Sequence, residues 1–415
     1  MMTQAITALA FSFVLTLVIG KFLIPELRKL KAGQEIREDG PTWHAGKAGT
    51  PTMGGIMFIV GTGVTVFVLG WRRMLQGEFV HLYVYLFALI FGLIGFVDDY
   101  RKVRQHQNEG LTAKQKFVLQ LAAAVVFLCL MRYEELLSND LYIPFLNTTV
   151  TINWIVYLVF AAFVIVGCVN AVNLTDGIDG LACSVTFVVM VFFAVTGLLW
   201  DRQAGPMALL PAALAGGLAA FFVYNHHPAK TFMGDTGSLF LGGAVAALGF
   251  AFDMPLILIF VGIIYIAETM SDIIQVTYFK ATHGKRFFKM APLHHHLELS
   301  GWSEAKLVTV FSGITLVFSI LAFLGIQGRF WPHALKTISR ERRERHDPTA
   351  PAQTAHEPGG SPGHGGAQAA AKGKGAGEPG TGPGTHRPAF SCSGAAADRH
   401  RPCDAVVRQL SLRLL

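Results

Sequence analysis

The sequence predicts an all-α polytopic membrane protein with about ten transmembrane helices. Of its 415 residues, 52% are hydrophobic and only 15% are charged, whereas a soluble protein carries about 25% charged residues. The mean hydropathy is +0.45. Apolar segments long enough to cross a bilayer follow one another from residue 5 to residue 327. These observations exclude a soluble enzyme, a disordered scaffold and a secreted disulfide-rich module.

Ten apolar segments are candidate membrane spans, for which about 20 residues are needed to cross the hydrocarbon layer, and the fourth and eighth of them are short. In chain order they cover residues 5–24, 52–70, 80–97, 117–131, 152–169, 181–200, 206–224, 237–252, 254–279 and 307–327. With ten spans, both chain termini lie on the same side of the membrane.

Basic residues predict the orientation, because cytoplasmic loops retain Lys and Arg. One set of alternate loops, at 21–51, 98–116, 225–236 and 278–306, holds 17 basic residues. The opposite loops hold only four, Arg72, Arg73, Arg132 and Arg202. The first set is therefore predicted to be cytoplasmic and both termini external. Alternating β-forming residues from Leu141 to Asn153 predict a small hairpin on the external side.

The chain divides near residue 331 into a membrane body, residues 1–331, and a tail, residues 332–415. The tail is rich in Gly, Pro and Ala with few large apolar residues, so it is predicted to be disordered. We hypothesise a frame-shifted or fused coding end. Residues 333–415 hold 12 basic and 7 acidic residues, which leaves 22 and 20 in the rest of the chain. The basic pI is mostly a property of the tail, and no nucleic-acid partner is expected.

Polar motifs gather on the predicted cytoplasmic face, and the first is Asp98-Asp99 at the end of the third span. Two adjacent carboxylates repel each other, which favours a bound cation or a raised pKa for one of them. A helix end paired with Arg101 and Lys102 explains the same residues equally well.

The second motif is NAVNLTDGIDGLA, residues 170–182, between the fifth and sixth spans. Asn173, Asp176 and Asp179 recur at every third position, and the two glycines allow a ligand to approach the backbone closely. Turn geometry alone uses the same residue types, but a turn rarely needs so many amides and carboxylates.

The third motif, YNHHPAKTFMGDTGSLFLGG, covers residues 224–243 and leads into an apolar span. Backbone N–H groups at that helix start can hold a phosphate while the Asp235 carboxylate holds Mg²⁺. A simple helix cap by Asp235 or Thr236 is the alternative, but it leaves Asn225 and Phe232 unexplained.

The fourth motif, KMAPLHHHLELSG, places three consecutive histidines, 294 to 296, on the last cytoplasmic loop. Consecutive residues of a helix cannot all face one metal, so donors or proton carriers near phosphate are the better interpretation. Lys47, Thr52 and Lys114 add cationic and hydroxyl groups on the same face. The inventory suits Mg²⁺ and phosphates.

With these four motifs in this order, residues 5–327 resemble the phospho-N-acetylmuramoyl-pentapeptide-transferases of bacteria. The resemblance implies a ten-span, usually dimeric enzyme of the bacterial inner membrane with a cytoplasmic active site. Its members use Mg²⁺ to transfer phospho-MurNAc-pentapeptide from UDP-MurNAc-pentapeptide to undecaprenyl phosphate, which gives lipid I and UMP. The tail has no counterpart in the family.

The resemblance also implies roles by motif position. Asp235 is the expected Mg²⁺ ligand, Asp98 the candidate base for the lipid phosphate, and Asp99 the neighbour of that base. The nucleoside and diphosphate region is expected to be lined by Lys47, Thr52, Asn173, Asp176, Asp179, Phe232, which stacks on uracil, and Gln275. The groups expected to position phosphates and sugar are Asn225, Lys114, His294, His295 and His296, and we count His294 among the catalytic residues.

Two mechanisms remain open, direct attack by the lipid phosphate and a two-step route through a phosphorylated carboxylate, and we favour direct attack. The closest alternative function is a polyprenyl-phosphate transferase that uses UDP-GlcNAc, since the acidic motifs are shared, but the APLHHHLE stretch favours the muramoyl-pentapeptide branch. A secondary transporter is a third possibility, and it predicts polar groups deep within spans and an internal repeat.

Overall fold

The structure, a computed structural model, describes residues 2–30, 49–105, 110–199 and 205–330. Within these ranges the chain forms twelve α-helices and one β-hairpin. The helices in chain order are α1 (Met2–Lys29), α2 (Gly55–Met74), α3 (Val80–Gln105), α4 (Ala113–Tyr133), α5 (Trp154–Thr175), α6 (Leu181–Leu199), α7 (Leu209–Asn225), α8 (Gly234–Ala251), α9 (Leu258–Val261), α10 (Ile263–Ala281), α11 (Leu293–Glu298) and α12 (Glu304–Phe330). The tail and Lys47 lie outside the described residues.

Each of the ten predicted apolar segments falls on a helix, which confirms the all-α polytopic membrane fold. Seven helices are long and apolar enough to cross a membrane, or eight if one bent pair counts as a span. Helix α7 is shorter, with 17 residues. The count of ten spans therefore stays a prediction.

The ninth predicted segment is not one straight helix. A 3₁₀ turn (Pro255–Ile257) and α9 lead to a bend of 80° before α10. Gly262 lies at the break, where its missing side chain lowers the cost of leaving helical geometry. The bend changes the direction of α10, which carries Glu268 and Asp272, both buried.

The predicted hairpin is confirmed. Strands β1 (Asp140–Ile143) and β2 (Thr148–Thr151) pair antiparallel with Ile143 opposite Thr148. The connecting turn is attached to α12, because the Phe145 N–H donates to the Gly325 carbonyl at 2.8 Å. The Arg329 guanidinium also lies 5.0 Å from the centre of the Tyr142 ring.

Helix α8 forms the centre of the bundle. All its residues from Thr236 to Ala251 are buried, as expected for a helix that is apolar on every side. Helices α3 and α5 pack against it, while α7 packs against α1, α2 and α6. A Cβ at Gly95 of α3 would collide with the Asp235 backbone, so glycine here lets α3 approach the start of α8 closely. The packing therefore brings the acidic end of α3 against Asp235.

Candidate functional site

Three carboxylates from two helices meet at the predicted cytoplasmic end of the bundle. Asp98 and Asp99 lie on α3, which continues to Gln105 beyond the predicted span end, and both are buried. Asp235 lies in the first turn of α8. Ligand oxygens of the three residues lie within 4.8 Å of one another. The structure thus brings together the three aspartates that the sequence singled out in separate motifs.

Two lysines neutralise part of this acidic cluster. Lys102 Nζ lies 2.6 Å from Asp98 Oδ2 and 2.9 Å from Asp235 Oδ2. Lys116 Nζ, from α4, lies 2.6 Å from Asp235 Oδ2 and 3.0 Å from Asp98 Oδ2. Asp98 Oδ1 also accepts from the Leu111 N–H at 2.6 Å. Each ammonium therefore bridges the two helices that carry the acids.

Asp99 has a different environment, because its carboxylate holds the N-terminus of α8. Its Oδ1 accepts from the Asp235 N–H at 3.2 Å, and its Oδ2 accepts from the Thr236 N–H at 2.8 Å and the Thr236 hydroxyl at 2.7 Å. These two N–H groups are not free to hold a phosphate, contrary to the sequence prediction. A self-cap by Asp235 or Thr236 is not seen either, since the cap comes from α3 and satisfies the orphan donors of the helix end.

Gly234 makes this cap possible. Its φ of +70° is in the left-handed region, which favours glycine. A Cβ there would approach Asp99 Oδ2 to 2.5 Å and the Thr52 hydroxyl to 2.7 Å. Thr52, one of the predicted site residues, therefore lies directly beside the start of α8.

Gly234→Ala should lower both stability and activity, because the new methyl group displaces the Asp99 carboxylate from α8. The left-handed conformation alone should cost about 1–2 kcal/mol. Gly77→Ala is the matched control, since Gly77 has a φ of +83° but open space around its Cβ. Thermal unfolding and activity, measured on both variants, separate the effects. Equal activity in the two variants would contradict a role for the collision.

The end of α5 contributes the second motif. Asn173 Nδ2 donates to Asp235 Oδ1 and to Ser238 Oγ, both at 2.8 Å. Asp176 follows the helix and is half-buried. Burial and the nearby carboxylates of Asp235 and Asp99 raise the pKa of Asp176 to about 8. Beside burial, the raised pKa reflects repulsion among neighbouring carboxylates, which a bound cation would offset.

Asp179 and Asn225 tie the second and third motifs together. Asp179 Oδ2 accepts from the Ala229 N–H at 3.0 Å and lies 3.0 Å from His227 Nδ1. Asn225 Oδ1 accepts from the Gly180 N–H at 3.1 Å. Asp179, His227 and Glu304 form a second group with ligand atoms within 4.8 Å of one another. Asp179 and Asn225 thus connect the loop that follows α5 with the loop that follows α7.

Phe232 lies three residues before Asp235 in a segment that pairs with the chain before α2. Its N–H donates to the Pro51 carbonyl at 2.9 Å, and its carbonyl accepts from the Gly54 N–H at 2.8 Å. The ring is half-buried. These bonds fix the Phe232 backbone beside both Thr52 and the acidic cluster.

The three histidines of the fourth motif have three different partners. His294 Nδ1 lies 2.9 Å from Glu268 Oε2, and His295 Nδ1 lies 2.8 Å from Glu298 Oε2. The nitrogen His296 Nδ1 accepts from the Lys289 N–H at 3.1 Å. Each imidazole of the run therefore bonds to a different group.

Gln275 of α10 bonds to the segment between α10 and α11. Its Oε1 accepts from the Phe287 and Phe288 N–H groups, at 3.1 and 2.9 Å. Among the described residues, the bonds of its side-chain oxygen organise the segment between α10 and α11. Its expected contact with the nucleoside stays a prediction.

Sequence reasoning missed Lys116, Glu268, His227 and Glu304, and it gave Lys102 only a structural role. Lys102 has a local signal, since it lies four residues after Asp98 on one helix. Lys116 has no such local signal, because its contact with α8 exists only in the folded chain. The predicted Lys114 is exposed, and the described bonds of the acidic cluster involve Lys116 instead.

Comparison with known proteins agrees with this geometry. Residues 81–253 match the model of glycosyl transferase family 4, and residues 47–59 match signature 1 of phospho-N-acetylmuramoyl-pentapeptide-transferase. A protein of that name from Clostridium acetobutylicum is 47% identical over 323 residues, which cover 77% of this chain and 98% of the relative. One from Thermoanaerobacter sp. is 46% identical over 327 residues, which cover 79% and 100%. One from Clostridium botulinum (strain Eklund 17B) is 48% identical over 323 residues, which cover 77% and 96%.

Proposed function

Because the chain belongs to the phospho-N-acetylmuramoyl-pentapeptide-transferase family, we propose that its Asp98–Asp235 cluster is where the two substrate phosphates meet. The enzyme transfers phospho-MurNAc-pentapeptide from UDP-MurNAc-pentapeptide to undecaprenyl phosphate and releases UMP. It is a multi-pass protein of the bacterial inner membrane with its active site on the cytoplasmic side. The observation that carries the proposal is the bridging of Asp98 and Asp235 by two ammonium groups at one end of the bundle.

A divalent metal ion fits this cluster, and we propose that it is Mg²⁺. The donors are all carboxylate oxygens, which hard cations prefer over thiol or imidazole ligands. We assign Asp235 and Asp98 as the residues that would hold the ion. Asp99 is less suited, because both of its oxygens cap the backbone of α8, whereas the lysines on Asp98 Oδ2 and Asp235 Oδ2 are side chains that can turn away. When bound, Mg²⁺ supplies positive charge to the diphosphate of the donor.

The lysines supply charge at the same place. Transfer brings the diphosphate of the donor and the phosphate of the lipid together, so alignment and neutralisation dominate the barrier. We propose that Lys102 and Lys116 turn from the carboxylates to the phosphates when the substrates bind. An oxygen of the lipid phosphate then forms a bond to the β-phosphorus as the bond to UMP breaks.

The position of Asp98 favours orientation over proton abstraction. Its oxygens already receive one N–H and two ammonium groups, so both are engaged before any substrate phosphate arrives. We propose that Asp98 holds the lysines and the metal ion in place. Its role as the base for the lipid phosphate remains the alternative.

We propose that the donor lies across the loops that follow α5 and precede α8. Asn173 and Asp176 lie next to the acidic cluster, and Thr52 and Phe232 lie beside the start of α8. A half-buried aromatic ring three residues before Asp235 is suited to stacking on uracil. The homodimer implied by the resemblance, and activity of residues 1–331 without the tail, are further proposals.

UMP release by the detergent-solubilised full-length protein tests the function. We expect release only when UDP-MurNAc-pentapeptide, undecaprenyl phosphate and Mg²⁺ are all present. A second protein that ends at residue 331 should be equally active if the tail is dispensable. UDP-GlcNAc is the control donor, and faster release from it would assign the chain to the other branch. UMP formed from the donor without lipid acceptor would favour the two-step route.

A further inference from the structure

Two fully buried ionisable side chains meet beside the loop that follows α5. His294 and Glu268 are both 0% exposed, and His294 Nδ1 lies 2.9 Å from Glu268 Oε2. The Glu268 oxygen is the acceptor in this contact, so His294 Nδ1 carries the proton of the bond. The His294 backbone N–H is directed at the same oxygen, at 3.4 Å. Glu268 therefore fixes both the tautomer and the orientation of the ring.

The other ring nitrogen faces the donor side. His294 Nε2 is buried and has no hydrogen-bond partner within the described part of the chain. The ring packs on Gly177, where a Cβ would collide with Nε2. Gly177 lies between Asp176 and Asp179, at the loop proposed to receive the donor. A buried nitrogen without a partner destabilises the folded protein, so the arrangement indicates a partner that arrives with substrate.

His295, the next residue of the histidine run, pairs with a carboxylate in a different way from His294. His295 pairs with Glu298 three residues further along the chain, a contact between near neighbours. His294 instead pairs with a residue of α10, across 26 positions of sequence. A buried carboxylate in a membrane protein is costly and commonly functional. The pair is therefore more than a local consequence of the histidine run.

We propose that Glu268 is a positioning residue for the transfer, which holds His294 so that Nε2 forms a hydrogen bond with the bound donor. This inference rests on the proposed donor site at the loop after α5. Glu268 touches no substrate and acts only through the imidazole. Its loss should leave the fold intact and free the ring to adopt either tautomer.

Glu268→Met is the first test, because methionine has a similar volume and cannot accept a hydrogen bond. A buried ionic residue replaced by an apolar one is often neutral or stabilising, so thermal unfolding should be unchanged or occur at higher temperature. We expect kcat/KM to fall about 10- to 100-fold, as for other partners that orient a functional histidine. Wild-type kcat/KM in this variant would overturn the inference.

Glu268→Gln should restore most of the activity. The His294 backbone N–H requires an acceptor at the position of Oε2, so the amide oxygen of glutamine is expected there and keeps the proton on Nδ1. Activity as low as in Glu268→Met would contradict a role in fixing the tautomer.

A double-mutant cycle separates failure of the inference from failure of the site. In a His294→Ala background, Glu268→Met should cause no further loss of kcat/KM. Glu298→Gln, which changes the neighbouring pair, is the control, and its fold loss of kcat/KM should be the same with and without His294→Ala. Full activity of His294→Ala would overturn the assignment of His294 to the site, and the inference with it. A further loss on adding Glu268→Met to an impaired His294→Ala enzyme would overturn the role of Glu268 alone.

Discussion

Asp235→Asn should abolish UMP release, with a loss in kcat of about 10³-fold or more, the size expected when several kcal/mol of transition-state stabilisation are removed. Asp235 Oδ2 binds two lysines and Oδ1 binds Asn173. The substitution removes the negative charge that holds the ammonium groups and the metal ion, while it keeps the size of the side chain.

Metal binding gives a readout for this variant that does not depend on turnover. An ion that binds only the folded protein stabilises it, and the stabilisation grows with the logarithm of the ion concentration above its Kd. Mg²⁺ should therefore raise the unfolding temperature of the wild type and have little effect on Asp235→Asn. Asp253→Asn is the control at the other end of α8, where Asp253 pairs with Arg329 at 3.0 Å. Its activity should stay within about twofold of wild type. A folded Asp235→Asn enzyme with normal kcat would remove Asp235 from the centre of the reaction.

Lys116→Met should lower kcat about 100- to 1000-fold, the loss typical of removing one group that neutralises transition-state charge. The same change leaves Asp98 and Asp235 with one ammonium fewer, so the concentration of Mg²⁺ needed for half-maximal activity should fall. UMP release titrated with Mg²⁺ measures both quantities. The opposite directions of the two effects distinguish catalysis from simple competition between lysine and metal.

Two further lysines make this test specific. Lys280→Met removes an exposed charge at the end of α10 and should leave kcat near its wild-type value. Lys114→Met tests the position that the sequence favoured, two residues before Lys116. A retained kcat in Lys116→Met, or a loss as large in Lys114→Met, would restore the sequence-based assignment.

The sequence alone determined the class of the fold and indicated the motifs that contribute to the candidate site. Hydropathy over about 20 residues is a local property, so each predicted apolar segment falls on a helix. The external hairpin followed from alternation and turn residues over a dozen positions. The motifs around Asp98, Asn173, Asp235 and His294 were recognised for the same reason, since each lies within one short stretch of chain.

Only the tertiary structure decided how these residues are paired. Positions 114 and 116 differ by about 200° around a helix, so hydropathy cannot tell which lysine faces α8. In the sequence Asp99 cannot be distinguished from the adjacent Asp98, yet in the structure it caps the helix that carries Asp235. Glu268 lies within the ninth predicted segment, yet it contacts His294 because the chain bends at Gly262. The physical reason is common to all three: the partner of a buried polar group comes from another helix, and packing alone decides which helix faces it.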